Sequence, residues 1–389
     1  MSIPEVILLA LAAVGHVVLW MSLVNRIHGT GLSQGLVHLL TIFCWSMMVV
    51  IVVSVAVGYT AGSGIWISLL YLSPCLLMAL SSIGRRIRTL LGGDQSAALL
   101  SNHTTSLDLI EQLGHRPAGS RWTELLSRLP GNEVFQLHIQ RKELRIERLE
   151  PELDGLTIAH VSDLHMSGRI SKSFYRHVVE RVNEQQVDIV AITGDLFDTE
   201  ACIEWGREIL GSLRARYGVY FVLGNHDKRV DAGRVRRQLI DCGLTNLGSR
   251  SQEVCVGKHR IILAGNELPW FSPAADMTHY PQGDGHPTSD GRPLRVLLSH
   301  APDQIEWARQ HDFDLMLAGH THGGQICFPV LGPVVSPSRL GTQYASGTFD
   351  VPPTLLHVSR GIASLMPIRW NCPPELAVLV LRSGVALGG

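Results

Sequence analysis

The chain has 389 residues, of which 46% are hydrophobic and 17% charged, and its formal net charge is -1. This near-neutral balance excludes the strong positive field that drives nucleic-acid binding through counterion release, and no long block of like charge marks a disordered tail. The charge is unevenly spread: Glu5 and Arg26 are the only charged side chains before Arg85. One part of the chain is written for lipid and the rest for water.

In chain order, Ile3 to Val24 and Leu36 to Val57 are near-continuous apolar runs. As helices, both are long enough for a hydrocarbon core that takes about 20 residues to cross. Ile65 to Ile83 is a shorter third run containing Pro74, which neighbouring helices make tolerable in lipid. The N-terminus has no basic leader region and no clear cleavage site, so a removed signal peptide is the weaker reading. Arg26 follows the first run, and Arg85, Arg86 and Arg88 follow the third. With three spans, the positive-inside rule predicts a multi-pass protein of the bacterial inner membrane with everything after Arg85 in the cytoplasm. With two spans, the C-terminal part is exported instead. The seven cysteines, an odd number without a CxxC pair, favour a reducing compartment.

Residues 1–91 are thus expected as a transmembrane region, 92–131 as a helical connector and 132–389 as the catalytic domain. In the connector, Trp122, Leu125, Leu126 and Leu129 recur at helical spacing. Such a stripe either lies on the bilayer surface or packs against the following domain.

A pattern then repeats five times. An apolar, β-branched run ends abruptly in Asp, Asn, His and Gly: LTIAHVSDLH, DIVAITGDLFD, GVYFVLGNHD, RVLLSH and DLMLAGHTHGG. Separated by helical stretches such as Ser173 to Asn183 and Trp205 to Arg214, these runs are expected as strands buried on both faces of an α/β sheet. Ligands bind beyond the carboxyl ends of such strands. Asp163, His165, Asp195, Asn225, His300, His320 and His322 offer oxygen and imidazole donors with no thiolate, which suits manganese, iron or zinc. Seven side chains exceed the needs of one tetrahedral ion. They suit two ions about 3.5–4 Å apart that share a carboxylate and clamp an in-line displacement at phosphorus.

Asp163-Leu-His165, Gly194-Asp195-Leu-Phe-Asp198, Gly224-Asn225-His226-Asp227, His300 and Gly319-His320-Thr-His322 together resemble the signature of the calcineurin-like metallophosphoesterase superfamily. GHTHGGQI, SRGIAS and RWNCPPEL are similar to the membrane-tethered bacterial branch of YkuE- and YaeI-like phosphodiesterases. The resemblance covers about Leu137 to Leu381. It implies a four-layer α/β/β/α sandwich, preceded by an all-α transmembrane region, with two divalent metal ions, manganese foremost, at the strand ends. On that resemblance Asp163, His165 and His322 hold one ion, Asn225, His300 and His320 the other, and Asp195 bridges them. His226 donates to the departing oxygen, Asp198 orients its ring, and a hydroxide bridging the ions attacks phosphorus. Asp227 is either an acidic partner or a turn residue. The phosphoprotein phosphatases of the superfamily continue the second motif as GDxVDRG, whereas Thr199 and Glu200 follow Asp198 here; this argues against that activity.

A membrane tether raises the effective concentration of a catalytic domain toward amphiphiles in the bilayer. The expected substrate is therefore a lipid-linked phosphodiester or pyrophosphate, such as the UDP-2,3-diacylglucosamine that related enzymes cleave. A phosphodiesterase for soluble nucleotides and a non-catalytic metal-binding sensor or scaffold are the alternatives. Arg360 and Arg369 are candidate phosphate grips. Glu267 to Phe271 and the loop Pro273 to Pro293 are where specificity is expected, although His279 and His286 in that loop are read as merely solvated.

Overall fold

The computed structural model describes residues 2–60, 65–91, 96–280, 292–329, 331–364 and 366–384. It divides into two compact units, Met1–Gln95 with Cys327–Gln343, and Ser96–Ile326 with Tyr344–Gly389.

The first unit holds helices α1 (Ile3–His28), α2 (Gln34–Thr60) and α3 (Ile65–Leu90). Among the described residues, α1 and the Gln34–Ser54 part of α2 are long and apolar enough to cross a membrane. Helix α2 leaves Leu39, Ile42, Val49 and Val53 exposed, as a helix that is apolar all round does when lipid is its solvent. Helices α1 and α3 meet at Gly15, where a Cβ would fall 1.6 Å from the Cys75 carbonyl oxygen; only glycine lets the two backbones approach so closely. His16 ties all three helices together. Its Nδ1 is 2.6 Å from the Tyr71 hydroxyl on α3, and its Nε2 is 3.0 Å from the Met48 carbonyl on α2. Trp20 Nε1 donates to the same hydroxyl at 2.9 Å. At the far end of α1 the buried Asn25 amide donates to the Val334 carbonyl at 2.8 Å and accepts from Ser336 N at 3.0 Å. Arg86 near the end of α3 donates to the Pro329 carbonyl at 3.3 Å. These bonds explain why Cys327–Gln343 groups with the helices.

The second unit is built on two sheets. Its strands are β1 (Leu99–Asp108), β2 (Gln136–Ile146), β3 (Thr157–Val161), β4 (Ile189–Thr193), β5 (Val219–Val222), β6 (Thr245–Asn246), β7 (Ser251–Val256), β8 (His259–Asn266), β9 (Leu294–Ser299) and β10 (Leu315–Ala318). After β11 (Cys327–Phe328) and β12 (Gly332–Pro333), which form a small antiparallel pair in the first unit, come β13 (Gly347–Val351), β14 (Thr354–Val358) and β15 (Glu375–Ser383). One sheet runs β1-β2-β15-β3-β4-β5-β6 and the other β13-β14-β10-β9-β8-β7. Strands β3 to β6 are mutually parallel, as are β8, β9, β10 and β14.

Three apolar cores separate the layers. One, with Phe174, Val178 and Val182 of the helix Lys172–Glu184, lies over the outer face of the first sheet. A second, with Ile158, Ala191, Val296 and Leu317, fills the space between the sheets. A third, with Ile305 and Ala308 of the helix Ile305–Gln310, covers the second sheet. The result is the expected α/β/β/α sandwich, and its central strands β4, β5, β9 and β10 are buried along their whole length. Between the sheets Lys142 and Glu375 form a buried ion pair at 2.6 Å. Lys142 also lies 3.0 Å from His357, which in turn is 2.9 Å from His160.

The helical connector expected at 92–131 is corrected by the fold. Leu99–Asp108 is strand β1, paired antiparallel with β2 along the sheet edge. Its Ser-Asn-His-Thr-Thr-Ser core is exposed, so an edge strand with little apolar burial gave no alternating signal to read. Only the short helices Leu109–Leu113 and Arg121–Leu126 follow it before β2.

Candidate metal centre

Five strands deliver their clusters to one place. β3 ends before Asp163 and His165, β4 before Asp195 and Asp198, β5 before Asn225 and His226, β9 before His300, and β10 before His320 and His322. Each lies at a carboxyl end of a parallel run, where backbone and helix termini open a crevice in an α/β sheet.

The side chains meet in two groups. Asp163, His165 and His322 bring one donor atom each within 4.8 Å of one another, as do Asp195, His300 and His320. His165 links the two groups, with Nε2 3.2 Å from His322 Nε2 and 3.5 Å from Asp195. Asn225 joins through its Oδ1, 3.1 Å from His300 Nε2. His226 Nδ1 is 2.5 Å from Asp198, and the same carboxylate lies 3.1 Å from His165 Nδ1. Burial opposes ionisation of Asp198, yet hydrogen bonds and charge from His165 and His226 hold it well below the usual carboxylate range.

The donor set fits cations for a specific reason. His300 Nδ1 lies 2.7 Å from the Thr193 carbonyl, which can only accept, so the ring donates there and aims Nε2 at Asp195 Oδ2, 3.2 Å away, and Asn225 Oδ1. His165 likewise spends Nδ1 on Asp198 and faces Asp195 and His322 with Nε2. Lone pairs pointed at one another in a buried site repel unless positive charge sits between them. Burial works against a proton on His300, but Asp195 and Asp163 outweigh it and hold the imidazole up at about 9. The site's own field calls for a cation there.

The backbone is bent to make this convergence. Asp163, His165, Asp195, His320 and His322 all have positive φ, between 45° and 71°, a conformation costly for non-glycine residues and found where a site over-determines it. Glycines make the room. A Cβ at Gly224 would lie 2.3 Å from Asp195 Oδ1, and one at Gly319 would lie 1.8 Å from Ser162 Oγ and 2.4 Å from Asp163 Oδ2.

Other candidates have structural duties. Asp227 accepts from Leu196 N and Phe197 N at 3.0 Å and from Gly224 N at 2.8 Å, so it clamps the β4 and β5 loops together. The Arg369 guanidinium is fully buried and donates to the Arg360 and Ala363 carbonyls at 2.7 Å. Arg360 is engaged by Glu375 at 3.2 Å. Both guanidinium groups are thus engaged by partners within the fold. Glu267 is buried against Arg236 and Leu223 N, whereas Trp270 lies edge-on to His300 and His320, with ring centroids 5.4 and 4.9 Å away. His286 and residues 281–291 of the expected specificity loop lie outside the described residues. Arg229, with its guanidinium 3.9 Å from Asp198 and its side chain one-third exposed, was not singled out by the motifs. Its only sequence signal is a basic residue three positions after His226.

Residues 156–324 match the calcineurin-like phosphoesterase family, and the chain belongs to that class of metal-dependent phosphoesterases. Within it, the chain falls with the branch of YkuE and YaeI. It is 28% identical over 229 residues to the Escherichia coli phosphodiesterase YaeI, covering 58% of this chain and 81% of that protein. It is 30% identical over 301 residues to a Bos taurus transmembrane protein with a metallophosphoesterase domain, covering 72% of this chain and 65% of that protein. To the UDP-2,3-diacylglucosamine pyrophosphatase LpxG of Chlamydia muridarum it is 25% identical over 301 residues, covering 62% of this chain and 88% of that protein.

Proposed function

We propose that the chain is a membrane-bound dinuclear phosphoesterase that hydrolyses a phosphodiester or pyrophosphate bond in a lipid-linked substrate. The observation that carries this reading is the convergence of seven oxygen and imidazole side chains beside a histidine held by Asp198. In it Asp163, His165 and His322 hold one ion, Asn225, His300 and His320 hold a second, and Asp195 is shared. When bound, two divalent ions, manganese foremost, supply Lewis acidity and lower the pKa of water.

The chain's own residues do the rest. Asp198 accepts from His226 Nδ1 and fixes the ring; once Nε2 also takes up a proton, the imidazolium donates it to the departing oxygen. The same carboxylate fixes His165, so one group sets the geometry of both the metal centre and the acid. Trp270 walls the site over His300 and His320, and Arg229 offers positive charge at its mouth.

Three spans with the catalytic unit in the cytoplasm complete the reading. The ends of α1 and α3 both bond to the short segment Cys327–Gln343, which favours α3 returning to the side where α1 ends. Arg26, Arg85, Arg86 and Arg88 all lie near those ends, which the positive-inside rule assigns to the cytoplasm. A reporter fused after Gly389 that is active only in the periplasm overturns this topology.

The lipid preference draws on the tether and on the likeness to LpxG, which is named for a lipid pyrophosphate. The test compares hydrolysis of UDP-2,3-diacylglucosamine and of bis-p-nitrophenyl phosphate by the purified full-length protein with Mn²⁺. Cleavage of the lipid substrate to UMP is the expected result. Turnover of the soluble diester alone refutes the lipid assignment.

A further inference from the structure

The helix Arg121–Leu126 displays its apolar residues outward. Trp122, Leu125 and Leu129, spaced on one face, are between 47% and 60% exposed, while Thr123 and Leu126 point inward and are buried. The stripe is therefore split: only Leu126 packs into the domain. Met366 and Trp370 extend the patch, each about half exposed. Asn132 stitches the two pieces together, because its amide donates to the Leu126 and Pro367 carbonyls at 2.9 Å and its oxygen accepts from Arg369 N at 3.0 Å. The Trp370 indole lies against Gly131, where a Cβ would come within 2.6 Å of its Nε1.

The patch is held rigidly. Ser120 caps the helix by accepting from Thr123 N, and Arg116 donates to the Ser127 carbonyl at 3.0 Å. A fixed face of five large apolar side chains is not an accident of a loose loop, and contiguous apolar surface rimmed by charge marks an interaction site. Arg116, Arg121 and Arg128 lie beside it with Glu124, which pairs with Arg116 and Arg128, and Glu133, whose carboxylate accepts from Cys372 N, so these five charges leave a net of one positive. Tryptophan, leucine and arginine in this arrangement are the composition of a face that lies in the headgroup region of an anionic bilayer. A bilayer is also at hand, since the same chain carries two helices long and apolar enough to cross one.

The patch adjoins the metal centre along the chain. Trp370 N donates to the Gln325 carbonyl at 3.1 Å, Gln325 Nε2 donates to the Met366 carbonyl at 2.9 Å, and Gln325 is three residues beyond His322. We propose that Trp122, Leu125, Leu129, Met366 and Trp370 form a membrane-docking face that inserts into the anionic bilayer surface and brings the metal centre to phosphate esters carried by lipids. The docking stands on the patch itself; the lipid-borne substrate rests on the function proposed above.

The test places the photocrosslinker p-benzoylphenylalanine at Leu125 in the full-length chain in membranes containing phosphatidylglycerol. Leu39 of α2 serves as the position already facing lipid. Phospholipid-mass adducts at both positions are expected. An adduct at Leu39 with none at Leu125 overturns the proposal, and so does a crosslink from Leu125 to a second copy or to another protein. Leu125→Asp supplies the second readout. Hydrolysis of bis-p-nitrophenyl phosphate is expected to stay unchanged, while hydrolysis of a lipid-borne diester in anionic vesicles falls about tenfold as surface concentration is lost. An equal fall on both substrates makes the patch structural and refutes docking. Lipid adducts at Leu125 from a wild-type chain that hydrolyses no lipid ester sink the substrate reading and leave the docking face standing.

Discussion

Asp198 serves two imidazoles at once, His226 at 2.5 Å and His165 at 3.1 Å. Asp198→Asn is therefore expected to lower activity about 10–100-fold through lost orientation. His226→Ala, which removes a proton donor but none of the seven converging donors, is expected to lower kcat by about 10²–10⁴-fold with metal content retained. Turnover on bis-p-nitrophenyl phosphate alongside elemental analysis separates the two effects, and unchanged turnover in His226→Ala rules out the acid role. Glu375 gives a stability prediction. Burial favours its neutral form, yet Lys142, Arg360 and His357 hold its pKa well below the usual carboxylate range. A depressed carboxyl stabilises the fold above its unfolded pKa of about 4.3 and loses that contribution as the pH falls below it. Glu375→Gln strands the buried Lys142 charge, so a loss of roughly 3–5 kcal/mol is expected at neutral pH, shrinking toward acid pH. Thermal unfolding at neutral and acidic pH measures it; a deficit that does not shrink contradicts the assignment. The seven donors were legible because each interrupts the end of an apolar run. The duties of Asp227 and Arg369 were not, since these are set by backbone partners from other loops that no local pattern announces.

The strands that end in donors could be read from continuous apolar runs because β4, β5, β9 and β10 are buried on both faces. Strand β1 could not, since its polar residues are paid no burial by the edge position they occupy. Nor could the segment Cys327–Gln343, whose partners in α1 lie some 300 positions earlier in the chain. Asn25 is a polar anchor for it in α1. Asn25→Ala removes both hydrogen bonds of a buried amide and leaves Val334 and Ser336 backbone groups unmatched, at a cost of about 1–3 kcal/mol. Limited proteolysis in nanodiscs is expected to cut within Ser336–Gln343 faster in this variant, while bis-p-nitrophenyl phosphate turnover persists. Equal cutting rates in the two proteins refute the anchoring role.

At the scale of the whole molecule, the modest average hydrophobicity and the net charge of -1 conceal two units with different solvents. Helices that are apolar all round form one, and a two-sheet sandwich with an electronegative, donor-rich crevice forms the other. The crevice gathers oxygen and imidazole side chains, and bound divalent ions would supply the positive charge that a phosphate ester needs there. Metal dependence is therefore the central claim. The most direct measurement strips the full-length protein with a chelator, reloads it with Mn²⁺, and follows both metal content and hydrolysis of bis-p-nitrophenyl phosphate. Loss of activity on stripping and its return at about two ions per chain are the predicted result. A stripped chain that keeps its activity, or a reloaded chain that hydrolyses no phosphate ester, contradicts the account.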